Sequence, residues 1–574
     1  MPTQVCVPIL VHDVDRALAD AREAGPNGAD LVEYRIDGLI GDEDDASDPM
    51  RRTDLGRLLD ETPLPSILTC RAGDEGGGYE GADGPRAELL EHLCALHRAP
   101  AYLDVEQAAM ARSPELRAEV GRCVGEHGAR LLLSIHGVEG RPEDLERRLL
   151  RAFDEPLCAV VKVAHLARSV RDNLELFDLL GRSPKPMIAL GMGPYGLASR
   201  VLAPKFGGFL TFASLRPSST TAPGQPTLEE LLGMYRFRSI GRGTRVYGVI
   251  GWPVGHSQGP LVHNAGFDAV GWDGVYLPLP VPDSDESFRA TVGALFGHGA
   301  LGFEGASVTI PHKERAARAA ILSPDAGRED GERSDERPAD EASAWLGAAN
   351  TLGLRRRADG GAELWRSNTD ASAIGESLVR ALLGLGDRDP APGDRLEGNV
   401  VGVVGAGGVA RAAVYALASR GAEVVIFNRT VSRARAVVEA MRAVRSSSGG
   451  DAVGPGGADP GAWGRVSAAS LEDLVGSGCD AYVNGTPIGM AGGPDPEGLS
   501  IPIPEMSRVG ADTVFFETVY TPAETPMLRA ARGRGCPTID GVSLFVRQAA
   551  AQFESWTGRA PPADLFEGLV RASG

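Results

Sequence analysis

The chain has 574 residues, 43% hydrophobic and 24% charged, with a formal net charge of −19. Ordinary globular usage over a length of roughly three or four domains excludes wholesale disorder and a collagen-like fibre. The acid excess opposes a dominant grip on nucleic acid or anionic lipid, and no apolar run of about 18 residues is present to cross a bilayer.

The first run, Val5-Cys6-Val7-Pro8-Ile9-Leu10, lacks a basic, apolar leader and is read as a strand, not a signal peptide. Short apolar runs follow at 31–36, 66–70, 101–106, 130–136, 159–164, 186–191 and 210–215. Helical periodicity fills 14–24, 86–97, 113–127, 142–152 and 170–180 between them. Eight strands alternating with helices over 1–236 predict a (β/α)8 TIM barrel, with a doubly wound sheet as the alternative.

A barrel of this kind carries its site at the carboxyl ends of its strands. Those ends supply Glu33, Arg35, Arg71, Asp104, Glu106, His136 and Lys162, then Gly191-Met192-Gly193 and Arg200. Of 58 basic residues only Lys162, Lys185, Lys205 and Lys313 are lysine, leaving 54 arginines. A surviving lysine suggests a need for an ammonium that can lose its proton; for Lys185 and Lys205 chance retention is the simpler reading. Lys162 interrupts the apolar run Ala159–Ala164. Burial and cations such as Arg35 or Arg71 are expected to lower its pKa and make it a nucleophile toward ketones, with His136 as proton acceptor. A buried structural ion pair is the alternative for Lys162.

Glu33-Tyr34-Arg35-Ile36-Asp37, Thr69-Cys70-Arg71 with Glu75, Ser134-Ile135-His136, Val161-Lys162-Val163, Gly191-Met192-Gly193, Ser199-Arg200 and Ala222-Pro223-Gly224-Gln225 resemble type I 3-dehydroquinate dehydratase across 1–236. The resemblance implies that Lys162 forms the imine, His136 is the general acid/base and Glu75 orients it. It also implies that Glu33, Arg35, Arg71, Arg200, Thr221 and Gln225 hold the substrate. Thr221 stands where that family usually has serine and keeps a hydroxyl.

Further along, Val400–Val404 runs into Gly405-Ala406-Gly407-Gly408-Val409-Ala410 and a helical stretch over 408–420. Strand, glycine turn and helix make a dinucleotide fingerprint, although G-x-G-G departs from the usual spacing and a ligand-free βα turn is the alternative. The next strand ends Asn428-Arg429-Thr430, with Arg433 one turn on, where NAD binders commonly carry an acid. Guanidinium there favours a 2′-phosphate, hence NADP.

Gly255-His256-Ser257, Val308-Thr309-Ile310-Pro311-His312-Lys313, Gly347-Ala348-Ala349-Asn350-Thr351, Asn368-Thr369-Asp370, Asn484-Gly485-Thr486-Pro487, Tyr520, Gln548 and Gln552 resemble shikimate dehydrogenase over 245–574. The resemblance implies a catalytic Lys313–Asp370 dyad. It places Ser257, Gly259, Thr309, Asn350, Tyr520, Gln548 and Gln552 with the substrate, and Thr486 and Gly541 with the cofactor. Gly259 replaces a second serine, which would leave room for quinate. The expected organisation is α/β throughout: a TIM barrel (1–236), a linker (237–244), then a two-lobed α/β dehydrogenase. Its parts are a substrate-binding domain (245–395, charged insertion 323–342), a Rossmann NADP domain (396–541, Gly/Ser insertion 446–462) and C-terminal helices returning to the substrate domain (542–574).

The two resemblances together imply a fusion similar to the plant-type bifunctional enzyme of the shikimate pathway of aromatic amino acid biosynthesis. Its partners would be small molecules: 3-dehydroquinate, 3-dehydroshikimate, shikimate and, as an alternative, quinate. No metal, nucleic acid or membrane is expected. Seven widely spaced cysteines without a C-x-x-C pair argue against disulfides and zinc, and for the cytoplasm. A non-catalytic regulator derived from the pair, or a redox sensor acting through the charged insertion, are rival readings. The first is opposed by the presence of Lys162, His136, Lys313 and Asp370.

Overall fold

The computed structural model of the protein describes residues 2–318, 343, 346–356, 361–386, 388–391, 393–447, 463–506 and 508–573. The expected insertion at 323–342 and residues 448–462 of the second lie outside the described residues. The chain divides into two compact units. One is Met1–Val246 with Asp273–Val281 and His298–Gly302; the other is Tyr247–Trp272, Pro282–Gly297 and Phe303–Gly574.

In the first unit the eight strands are β1 (Gln4–Leu10), β2 (Leu31–Arg35), β3 (Ser66–Thr69), β4 (Tyr102–Glu106), β5 (Arg130–Gly137), β6 (Cys158–Leu166), β7 (Met187–Met192) and β8 (Leu210–Phe212). They form one sheet in the order β7-β6-β5-β4-β3-β2-β1-β8, parallel in every ladder. A backbone bond from Phe209 N–H to the Met187 carbonyl, 2.8 Å, draws β8 to β7 and nearly closes the barrel. Alternation along each strand decides what points inward. Cys6, Leu31, Ile67, Tyr102, Leu132, Val160, Ile188 and Leu210, one from each strand, pack as an apolar plug. Two residues further along, β2 to β6 place Glu33, Thr69, Asp104, Ser134 and Lys162 inward. The plug therefore becomes a charged floor within one pleat.

Residues 237–244, expected as a linker, contain a 3-10 turn over Phe237–Ser239 with Phe237 buried. Lys205 Nζ donates to the carbonyls of Arg242 at 2.9 Å and Thr244 at 2.7 Å. Strands β9 (Arg245–Gly251) and β10 (Gly274–Pro280) follow.

In the second unit, β11 (Phe303–Val308), β12 (Thr351–Arg356) and β13 (Ala362–Ser367) form an antiparallel meander. Then come β14 (Val400–Val404), β15 (Glu423–Asn428), β16 (Val466–Ser470), β17 (Ala481–Asn484), β18 (Val514–Glu517) and β19 (Thr538–Ile539). Their parallel sheet has the order β16-β15-β14-β17-β18-β19, which is that of a doubly wound dinucleotide-binding domain. The strand order reverses beside β14, whose carboxyl end leads into Gly405. Helix Gly408–Ala418 buries Ala412, Ala413 and Leu417 against Val401 and Val403 of β14 and Ile426 of β15. Such burial contributes about 1.5–3 kcal/mol for each large side chain. Among the described residues no helix is long and apolar enough to cross a membrane.

Candidate active sites

The charged floor of the barrel is a network of opposite signs. Lys162 Nζ donates to Asp104 Oδ2 at 2.8 Å and Glu33 Oε1 at 3.3 Å, and lies 4.7 Å from the centre of the Phe212 ring. Arg71 bridges Asp104 at 2.8 Å and Glu106 at 3.3 Å, and donates to Ser134 Oγ at 2.6 Å. Burial pushes the Asp104 carboxyl up, but Arg71 and then Lys162 outweigh it and hold the group well below the usual carboxylate range. The expected neighbours of Lys162, Arg35 and Arg71, are thus corrected: its direct partners are acids. Glu33 also accepts from Thr69 Oγ1 at 2.8 Å.

Arg35 is gripped by Asp37 through two bonds of 2.8 Å. The same carboxylate accepts the backbone N–H of Arg71 at 3.2 Å and of Gly78 at 3.0 Å. One acid therefore fixes the end of β3 and the loop that carries Glu75. Glu75 Oε2 accepts the backbone N–H of His136 at 3.0 Å and lies 3.0 Å from His136 Nδ1. Burial, reinforced by Arg71 and Lys162, drives His136 well below the ordinary imidazole range. The imidazole is therefore neutral at rest.

Arg200 is buried, its Nε has no hydrogen-bond partner, and burial brings its pKa down to about 10. Such a guanidinium suits an anion. Thr221 Oγ1 donates to Gln225 Oε1 at 3.3 Å, while Gln225 Nε2 is buried without a partner.

In the second unit, Lys313 opens helix Lys313–Arg318 and Asp370 lies in the first turn of helix Thr369–Leu382. Lys313 Nζ donates to Asp370 Oδ2 at 2.6 Å. Asn368 caps the latter helix by accepting the Ala371 N–H at 3.2 Å. Asn350 Nδ2 donates to Thr369 Oγ1 at 3.0 Å and reaches Gln548 Oε1 at 3.4 Å. Gln552 donates to the Asn350 carbonyl and to Thr351 Oγ1, both at 3.0 Å, and accepts from Ser307 at 2.7 Å. Helix Gly541–Thr557 thus braces the asparagine beside the dyad. Ser257 Oγ accepts the Gly259 N–H at 3.2 Å. Thr309 donates its backbone N–H to Ile250, and Tyr520 packs on Phe545 with ring centres 5.2 Å apart. Among the described residues no side-chain hydrogen bond joins Ser257, Thr309 or Tyr520 to the dyad.

The turn after β14 fits a dinucleotide. Gly405 has φ +113°, a left-handed conformation, and a Cβ there would meet the Gly485 carbonyl at 2.8 Å. A Cβ on Gly407 or Gly408 would enter open space, so the approach to the helix N-terminus is clear. Ala406, Val409 and Ala410 complete the turn. Asn428 folds back on the Thr430 carbonyl at 2.8 Å. Arg429 and Arg433 are exposed and, among the described residues, make no ion pair. Thr486 donates its hydroxyl and backbone N–H to Asn484 Oδ1 at 2.7 and 2.9 Å. Asn484 in turn donates to the buried Glu517 at 2.7 Å, a brace missing from the sequence reading. Gly541 is buried and begins helix Gly541–Thr557. Among the described residues no cluster of His, Cys, Asp or Glu is arranged to hold a metal ion.

Comparison with known proteins gives matches along the whole chain. Residues 5–242 match type I 3-dehydroquinase. Residues 249–329 match the shikimate dehydrogenase substrate binding domain, 391–448 the shikimate/quinate 5-dehydrogenase family, and 541–571 the shikimate 5′-dehydrogenase C-terminal domain. The chain is 34% identical over 569 residues to the bifunctional 3-dehydroquinate dehydratase/shikimate dehydrogenase, chloroplastic, of Arabidopsis thaliana, covering 98% of this chain and 84% of that one. It is 38% identical to the shikimate dehydrogenase (NADP(+)) of Methanocella arvoryzae over 57% of its own length and 98% of the relative's. The solved dehydroquinate dehydratase and shikimate dehydrogenase from S. pombe AroM aligns over 99% of this chain and 98% of its own, at 23% identity and a TM-score of 0.40.

Proposed function

The chain belongs to the family of bifunctional 3-dehydroquinate dehydratase/shikimate dehydrogenases, and from that premise we propose how its residues divide the two reactions. It is a lyase and an NADP-dependent oxidoreductase of the shikimate pathway. It dehydrates 3-dehydroquinate to 3-dehydroshikimate and reduces that product to shikimate.

In the barrel, Lys162 attacks the substrate ketone and expels water to form an imine. Asp104 and Glu33 steady the ammonium beforehand, and the proton it sheds before attack goes to solvent. The neutral His136 removes a proton from the carbon beside the imine. The electron pair moves into the iminium and returns to expel the hydroxyl two carbons from the imine, which leaves as water with the proton carried by His136. Hydrolysis then frees Lys162. Glu33, Arg35, Arg71, Arg200, Thr221 and Gln225 hold the hydroxyls and carboxylate.

In the second unit, Gly405–Ala410, Asn428, Arg429, Thr430, Arg433, Thr486 and Gly541 hold NADP. Its nicotinamide, when bound, supplies the hydride. Lys313 and Asp370 deliver the proton to the carbonyl oxygen as it becomes a hydroxyl. Ser257, Thr309, Asn350, Tyr520, Gln548 and Gln552 orient the ring.

One observation carries this reading: two separate lysine–carboxylate pairs, one on the floor of a barrel and one beside a dinucleotide turn. Mixing the protein with 3-dehydroquinate and NADPH and following the loss of nicotinamide absorbance tests it. Consumption of NADPH with 3-dehydroshikimate but not with 3-dehydroquinate would refute the barrel assignment. Borohydride in the presence of substrate should leave a reduced adduct on Lys162 alone.

A second substrate is favoured by one position. Gly259 supplies no hydroxyl beside Ser257, so quinate is proposed as a minor substrate. The domain limits proposed are those of the sequence reading, with 237–244 as the connection. Seven free cysteines, all buried, support a reducing compartment, proposed to be the cytoplasm.

A further inference from the structure

The carboxylate that touches His136 is itself held by a residue that the two reactions leave unassigned. Arg148 lies in the second turn of helix Leu145–Asp154, 73 residues from Glu75 in sequence. Its Nη2 donates to Glu75 Oε1 at 2.5 Å, and its Nε reaches Gln107 Oε1 at 3.4 Å. We propose that Arg148 is a positioning residue for the dehydration, acting through Glu75 to fix which nitrogen of His136 carries the proton. The inference rests on His136 being the base.

The argument is one of donors and acceptors. Oε2 of Glu75 takes the backbone N–H of His136, and Oε1 takes the guanidinium N–H. Both donors are obligatory, because a backbone amide and a guanidinium have nothing else to offer. With an N–H donated to each oxygen, and one of the donors a cation, the ionised carboxylate is favoured over the acid. It must then receive, not give, the hydrogen shared with His136 Nδ1. That puts the ring proton on Nδ1 and the lone pair on Nε2, the tautomer a base needs. Without Arg148, Oε1 is an unpaired oxygen in a buried place, and burial already favours the protonated acid. A protonated Glu75 donates to Nδ1, moves the ring proton to Nε2, and leaves no lone pair for the substrate. The charged groups facing Glu75 are Arg148 from its helix, Arg71 at the end of β3, Glu106 of β4 and His136 of β5. Those facing His136 include Arg71, Lys162, Asp104 and Arg35. Arg148 is the strongest of the charges favouring the carboxylate.

The test uses the full chain and separates a tautomer effect from loss of structure. Arg148→Met should lower kcat for dehydration by about tenfold to a hundredfold near neutral pH, with KM changed by less than about threefold, since Arg148 touches no substrate. The deficit should shrink as pH rises, because Glu75 then loses its proton without help. Arg148→Lys should restore most of the rate. In a Glu75→Gln background, Arg148→Met should cost less than about twofold more, because the two act as one unit. Reduction of 3-dehydroshikimate should be unaffected. Should the Met variant lose the barrel fold, Arg148→Lys carries the test: its smaller deficit must also shrink with pH and vanish in the Gln background. An unchanged kcat, a deficit equal at every pH, or full additivity with Glu75→Gln would overturn the proposal. His136→Ala separates the two layers. If that variant dehydrates normally, the base assignment fails; if it is inactive while Arg148→Met is fully active, only the role of Arg148 fails.

Discussion

The two lysine–carboxylate pairs are built to different specifications. In the barrel, the Lys162 side chain is 8% exposed and that of Asp104 0%; in the dehydrogenase, Lys313 is 19% exposed and Asp370 11%. Lys162 is gripped by acids from β2 and β4 and by the face of Phe212, and its main partner is shared with Arg71. Among the described residues Lys313 has Asp370 as its one ion-pair partner, each in the first turn of a helix. The contrast follows from the chemistry proposed. An amine that becomes an imine must be held still while its substrate is bonded to it. A dyad that passes a proton to and from an oxygen must keep access to water, so it sits where helices begin and not where strands converge.

If the sites are separate in this sense, damage to one should spare the other. Lys162→Ala should cut dehydration by about 10⁴-fold or more while leaving reduction of 3-dehydroshikimate within about twofold. Asp104 keeps Arg71 as its partner, so the barrel should still fold. Comparable loss of both activities would break the comparison. Asp370→Asn should lower kcat for reduction by about 10²–10⁴-fold, the usual range for a lost proton relay. Its KM should change little, and dehydration not at all. A full KM effect with unchanged kcat would make the pair a binding device.

Arg429→Asp sharpens the cofactor side. It should weaken NADPH by about 1.5–3 kcal/mol, the worth of a hydrogen bond to a charged group, and change NADH use much less. Equal loss with both cofactors would show that the residue is structural. Gly259→Ser should have the smallest effect: a preference for shikimate over quinate raised by about tenfold, or ~1.4 kcal/mol. A wild type without quinate oxidation, together with a Ser variant of unaltered shikimate KM, would remove position 259 from substrate choice.

Much of the architecture is legible in the sequence because both folds advertise themselves by period. Short apolar runs at barrel spacing announce the first unit, and a strand ending in Gly405 announces the cofactor turn. The polar ends of the strands were also readable one by one. What could not be read is which of them touch. Arg71 does come close to Lys162, on the same Asp104 oxygen, yet the inward register delivers Asp104 and Glu33 to its nitrogen, so its direct partners carry the sign opposite to expectation. Arg148 is one of three arginines in Arg147-Arg148-Leu149-Leu150-Arg151. Only the helix phase separates the one that meets Glu75 from the one that meets Asp144. Glu517 carries no sequence signal of its own, yet it accepts from Asn484 and Thr525. Lys185 has the same lesson: its Nζ donates to the carbonyls of Glu155 at 2.7 Å and Cys158 at 3.1 Å, as that of Lys205 does to Arg242 and Thr244. A compact ammonium converges on two carbonyls where a planar guanidinium would splay them, which gives both lysines a physical reason to persist.

That economy of lysine has a consequence for selectivity. A ketone in aqueous solution condenses reversibly with any free amine it meets, as sugars do when they glycate proteins. Here none of the four lysines is fully exposed, and two of them spend their hydrogens on backbone carbonyls. A carbonyl compound that both halves of the enzyme must handle therefore encounters few side-chain amines able to sidetrack it, and the surface charges it brushes past are guanidinium groups, poor carbonyl traps. On the proposed chemistry, the other three lysines are occupied, two by carbonyls and Lys313 by Asp370, which leaves Lys162 as the side-chain amine placed for covalent capture.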